Sequence, residues 1–121
     1  MNPNGRGVDI APGQSPTLLN NIIANTQIGI NDRLQRDTSG NAGRTTYVIG
    51  STVFSNNGHN RVTSDPGVVG PPIVTNNNDL GLFPIVLTPT DPLFQSVPDG
   101  RFYPAAGSRV IDSSLASLQE R

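Results

Sequence analysis

The sequence predicts an all-β fold and, within that class, a right-handed parallel β-helix of a few coils. Three observations carry this. Gly, Pro and Asn together make up 37 of the 121 residues. Gly and Pro exceed their usual ~7% and ~5%, and both oppose helix interiors. The charged residues are eight Arg, eight Asp and one Glu, with no Lys. Helix surfaces draw on Lys and Glu, so a surface of Asn, Ser and Thr points to strands and turns. Finally, two segments match at one fixed offset. Asn21-Ile22-Ile23-Ala24-Asn25 aligns with Thr52-Val53-Phe54-Ser55-Asn56, and Leu18 aligns with Ile49 at the same spacing. Short apolar pairs closed by Asn suit stacked coils, with apolar side chains inside and Asn ladders at the corners. The alternative is a small β-sandwich, which would pair residues 17–30 with 45–56 as a hairpin.

Residues 1–16 carry six Gly or Pro, so only Val8-Asp9-Ile10-Ala11 reads as a brief strand. Residues 17–30 hold β-branched runs broken by paired Asn and read as two short strands joined at a corner. Residues 31–44 are polar and have only Leu34 to bury, which predicts an exposed loop. Residues 45–58 are strand-like and close on Asn57-Gly58. Residues 59–79 return to turns, with a brief strand at 72–75. Pro84 makes any strand at 82–87 an edge. Short extended pieces follow at Arg101-Phe102-Tyr103 and Val110-Ile111. The tail, 113–121, has the best helix propensity, with Leu115 and Leu118 on one face. Phe54 and Phe94 are the expected core aromatics. The chain thus reads as a single domain or excised fragment. Residues 1–70 form coils with a loop at 31–44, and 71–121 form a turn-rich terminal coil and cap. Met1 is either a native start or one added to an excised piece.

Several function classes are disfavoured. Net charge is −1 and no basic cluster is present, so nucleic acid is not an expected partner. No Cys is present, which removes disulfides and thiolate metal sites. No run approaches the ~20 apolar residues that span a bilayer, and residues after Met1 lack a signal-peptide core.

Candidate chemistry is thin. His59, the only histidine, follows Asn56-Asn57-Gly58 and reads as an exposed turn residue. No Gly-x-Ser-x-Gly elbow accompanies it. Asp37-Thr38-Ser39-Gly40 has an extra residue before Gly relative to an aspartic-protease loop, and no second copy. Asn76-x-Asn78-x-x-Gly81 echoes a calcium loop but puts Leu87 where a bidentate Glu is required. Asp32 and Asp79, each following Asn, are the remaining calcium candidates, and their default role is an Asx turn. The glycines at 5, 7, 40 and 43 make no phosphate-binding fingerprint. Tyr103 is the best candidate for an exposed ligand-contacting ring. Arg109 and Asp112 stand at ion-pair spacing. No catalytic residue and no cofactor are assigned.

The C-terminal third carries a resemblance. Asp91-Pro92-Leu93-Phe94, followed by Gly100-Arg101-Phe102-Tyr103-Pro104-Ala105-Ala106-Gly107-Ser108-Arg109-Val110-Ile111-Asp112-Ser113, resembles a recurrent ending of right-handed parallel β-helix regions. Those regions belong to the pectin-lyase-like superfamily and occur in large bacterial secreted and cell-surface proteins. Arg109 stands where Pro is common, and Ser113-Ser114 where Gly usually closes. With the Asn-rich segments, the likeness touches roughly half the chain. It implies a secreted or cell-surface location and, as partners, the remainder of a larger parent chain and an extracellular polysaccharide. Family enzymes use Arg or Lys with clustered Asp on acidic polysaccharides. Here the eight Asp residues are scattered through turns, so the resemblance implies a non-catalytic structural or capping module. A lyase or hydrolase remnant, or a glycan- or calcium-binding adhesin module, is the alternative.

Overall fold

A computed structural model describes residues 2–43, 48–96 and 98–109. Tyr47, the strand expected at 110–111, Asp112 and the helical tail at 113–121 lie outside the described residues. The protein is all-β. Its strands run as β1 (Asn2–Ile10), β2 (Thr17–Leu19), β3 (Ile22–Ala24), β4 (Thr26–Arg33), β5 (Gln35–Arg36), β6 (Ala42–Gly43), β7 (Val48–Gly50), β8 (Val53–Ser55), β9 (His59–Ser64), β10 (Ile73–Val74), β11 (Ile85–Leu87), β12 (Phe94–Ser96) and β13 (Arg101–Pro104). A single 3₁₀ turn, Asn77–Asp79, is the one helical element among the described residues.

Three consecutive strands lie parallel on three later ones in one unbroken register. Leu18 partners Ile49, Ile23 partners Phe54 and Asp32 partners Thr63, all at the separation that also joins Asn25 to Asn56. A further layer begins above them, with the spacing longer by one: Gly50 bridges Leu82, and Val53 partners Ile85. On the other side β1 lies parallel to β4 at a shorter spacing, with Asp9 beside Asn31 and Ile10 beside Asp32. Between residues 17–33 and 48–64 every pairing is parallel. The hairpin of a small sandwich is not formed there.

The corners explain why Asn recurs. Asn20, Ser51 and Phe83 stand at matching positions of successive layers, and all have positive φ, at 57°, 42° and 50°. Asn25 and Asn56 form a second such pair, at 59° and 50°. Left-handed backbone costs ordinary residues roughly 1–2 kcal/mol, and Asn tolerates it best after Gly. Three of these five corners are therefore Asn, and the apolar pairs between the turns become short strands.

The core gathers Ile10, Ile23, Ile30, Ile49, Phe54 and Leu80, with Val8, Leu18 and Val86 against it. Phe54 is fully buried because β8 is the central strand of β3-β8-β11. On the edge strand β3 its partner Ile23 is buried too, but Ile22 is 48% exposed where its own partner Val53 on β8 is buried. Gly29 is required by close packing: a Cβ there would lie 2.5 Å from the Asn60 carbonyl oxygen.

Four expectations need correction. The N-terminal segment is strand from Asn2, not only around Val8, because β4 supplies partners along it. Asn31, Asp32 and Arg33 belong to β4 and not to a loop, and Asn31 and Asp32 are buried. The excursion proper starts at Leu34 and folds as the β5–β6 hairpin. β10 returns antiparallel to β9, and β12–β13 is a hairpin, so after β11 the described chain no longer follows the parallel layers. Phe94 sits in that hairpin and is only half-buried.

Candidate functional site

Polar residues inside a β stack must find partners, because an unpaired buried polar group costs more than its bond contributes. The parallel register meets this requirement across three strands. Asn31 Nδ2 donates to Asp9 Oδ1 at 2.7 Å, and Ser64 Oγ donates to Asn31 Oδ1 at 2.8 Å. Arg33 approaches the other Asp9 oxygen at 3.2 Å. The Asp9–Asn31–Ser64 ladder has no signature in the sequence, and only the placement of 31–33 within a strand reveals it.

The two calcium candidates converge on an arginine. Arg61 Nη2 lies 3.9 Å from Asp32 Oδ2, and Arg61 Nη1 donates to the Asp79 carbonyl at 3.4 Å. The cationic charge near Asp32 is therefore part of the chain itself. Asp32 Oδ1 is buried without a hydrogen bond. Among the described residues no three His, Asp or Glu side chains gather.

The remaining acidic residues organise loops. Arg36 grips Asp65 through two contacts, Nε to Oδ1 at 2.7 Å and Nη2 to Oδ2. This forked geometry ties the β5–β6 hairpin to the turn after β9. The hydrogen bond from Arg36 holds the Asp65 carboxyl below its ordinary pKa, and the Gly67 amide adds to this. Asp37 is lowered first by the Asn41 amide, which together with that of Ser39 closes the hairpin turn. Asp91 is lowered first by the Thr88 amide, then by the Thr88 hydroxyl. Arg109 lies 3.9 Å from Asp91 and donates to the Val86 carbonyl at 3.3 Å. The described partners of Arg109 are thus Asp91 and β11.

A cleft of about 580 Å³ lies beside His59 and β11. It opens where the third layer leaves the stack, at Pro89, the position that would succeed Asn57 in that layer. Val74, Val86 and Pro89 form apolar wall, and Asn56, Asn60 and Asn77 form polar wall. Asn57 is its anchor: it accepts from Thr26 and donates to the Ile23 carbonyl and to Asn60 Oδ1. Asn60 in turn donates to Asn77 Oδ1 at 3.0 Å. His59 is exposed in β9 and lines the cleft, whereas the sequence places it in a turn. Tyr103 is 73% exposed on β13 and does not line the cleft. The Asn76-Asn77-Asn78 run reads as a turn in sequence; its density of carboxamides is the available signal for the polar wall.

No helix among the described residues is long and apolar enough to cross a membrane. Comparison with protein families, with characterised proteins and with solved structures finds no match to the chain.

Proposed function

We propose that this chain is a non-catalytic structural segment of a parallel β-helix within a large exported bacterial surface protein. The observation that carries the reading is the uniform parallel register. Strand, corner and strand recur in the same order, with partners at Leu18–Ile49, Ile23–Phe54 and Asp32–Thr63. Stacked layers of this kind derive their stability from nearest-neighbour interfaces, and the last layer must be shielded. The antiparallel β10 and the β12–β13 hairpin suit such a shield. Most of the described acidic residues are engaged in loop and ladder contacts, which supports a structural role over a polysaccharide-cleaving one. The exported location rests on the resemblance of residues 91–113.

Two measurements test the reading. Cross-strand nuclear Overhauser contacts along Ile23, Phe54 and Val86 are expected in solution. Polygalacturonate incubated with the protein is expected to yield no unsaturated sugar product by absorbance. Turnover that disappears on replacing one Asp or Arg would overturn the structural reading in favour of a lyase.

A further inference from the structure

We propose that the cleft beside His59 is a binding site for a neutral oligosaccharide. Its carboxamides are held at one end and left open at the other. Asn56 Nδ2 is committed to Asn25 Oδ1, so Asn56 presents its oxygen as an acceptor. Asn77 Oδ1 is taken by Asn60, so Asn77 presents its NH₂ as a donor. Asn76 Oδ1 caps the 3₁₀ turn through the Asn78 amide, so Asn76 also presents NH₂. The His59 ring lines the same space. One acceptor and two donors, each held by a second bond, match vicinal hydroxyls, each of which both donates and accepts.

The walls select against charge. Among the described residues no Arg, Asp or Glu lines the cleft, so an anionic ligand would lose water without meeting a permanent cation. Val74, Val86 and Pro89 supply apolar wall for the C–H faces of a sugar ring. The volume, about 580 Å³, lies within the ~300–1,000 Å³ of small-ligand sites. Pre-ordered side chains reduce the entropy lost on binding. The site is independent of whether the chain belongs to a longer solenoid.

The test uses the intact ¹⁵N-labelled chain with cellotetraose, maltotetraose and mannotetraose, and with tetragalacturonate and tetra-alanine as controls. At least one neutral tetrasaccharide should shift the side-chain amide signals of Asn76 and Asn77. Asn77→Ala should weaken it about fivefold, the loss of one hydrogen bond. Asn76→Asp keeps the capping oxygen but replaces the donor with a carboxylate, and should lose binding with no fall in melting temperature. The proposal is overturned if no neutral tetrasaccharide moves these signals, or if Asn76→Asp binds unchanged. Tighter binding of tetragalacturonate or tetra-alanine would overturn it too, reassigning the cleft to an anion or a peptide strand.

Discussion

Asn25 and Asn56 stand one layer apart, adopt the same left-handed backbone and join side chain to side chain, Asn56 Nδ2 donating to Asn25 Oδ1 at 2.8 Å. One residue type thus serves the corner and the contact between layers. The two roles separate by mutation. Asn56→Gly keeps the backbone freedom and loses only the hydrogen bond, for about 1 kcal/mol. Asn56→Ala adds the left-handed penalty and should cost roughly 2–3 kcal/mol. Urea denaturation distinguishes them; equal costs would mean that the corner conformation is not demanding.

Phe54 and Phe94 should respond differently to truncation. Phe54 is fully buried on the central strand β8, so Phe54→Ala should cost ~3–5 kcal/mol. That is a large part of the ~5–15 kcal/mol available to a domain. Phe94, half-buried in the β12–β13 hairpin, should cost less. Melting curves of both variants check the order.

Gly29→Ala should destabilise by roughly 1–3 kcal/mol through overpacking. The new methyl would meet the Asn60 carbonyl at 2.5 Å and the Ile23 side chain at 3.3 Å. Thermal denaturation reads the effect. A neutral result would mean that β4 and β9 separate easily at this point.

The Arg36–Asp65 clamp predicts an acid-sensitive hairpin. Asp65 has its pKa lowered below the ordinary 3.8 in the folded state, chiefly by the hydrogen bond from Arg36. Its stabilisation is therefore fully present above the ordinary carboxylate value that it regains on unfolding. It is lost as pH falls through the lower folded value. Asp65→Asn should flatten the stability profile below about pH 4, relative to the unmodified chain, and leave its slope near neutrality unchanged. Chemical denaturation at a series of pH values measures this.

Breaking the Asp32–Arg61 pair should be costly at one end. Asp32 is 4% exposed, and Asp32→Ala takes the carboxylate away from Arg61, which keeps the Asp79 carbonyl. Removal of one partner from a fully buried pair costs ~3–5 kcal/mol; at 3.9 Å, with the Arg61 side chain 20% exposed, a cost below that range is expected. Calcium should not restore the loss, since the variant lacks the carboxylate. Melting temperature with and without calcium checks both points.

The all-β class, the Asn corners and the offset between layers are legible in the sequence alone. Gly, Pro and Asn restrict the backbone locally, and a match such as Ile23 with Phe54 carries its register in spacing alone. Pro84 stands just before β11, and β11 is an edge of its sheet. Tertiary structure decided the fate of polar residues. Asn31 and Asp32 read as loop because their side chains are hydrophilic, yet they are buried in β4, where Asp9 and Ser64 meet the amide and Arg61 meets the carboxylate. It also decided where the parallel stacking is interrupted before it resumes at β11. Nothing local to Ile73-Val74 states that it will reverse against β9. The cleft beside His59 follows from that reversal and from the departure of the chain at Pro89. It joins Asn56 to Asn76 and Asn77, residues that only the fold brings to one wall.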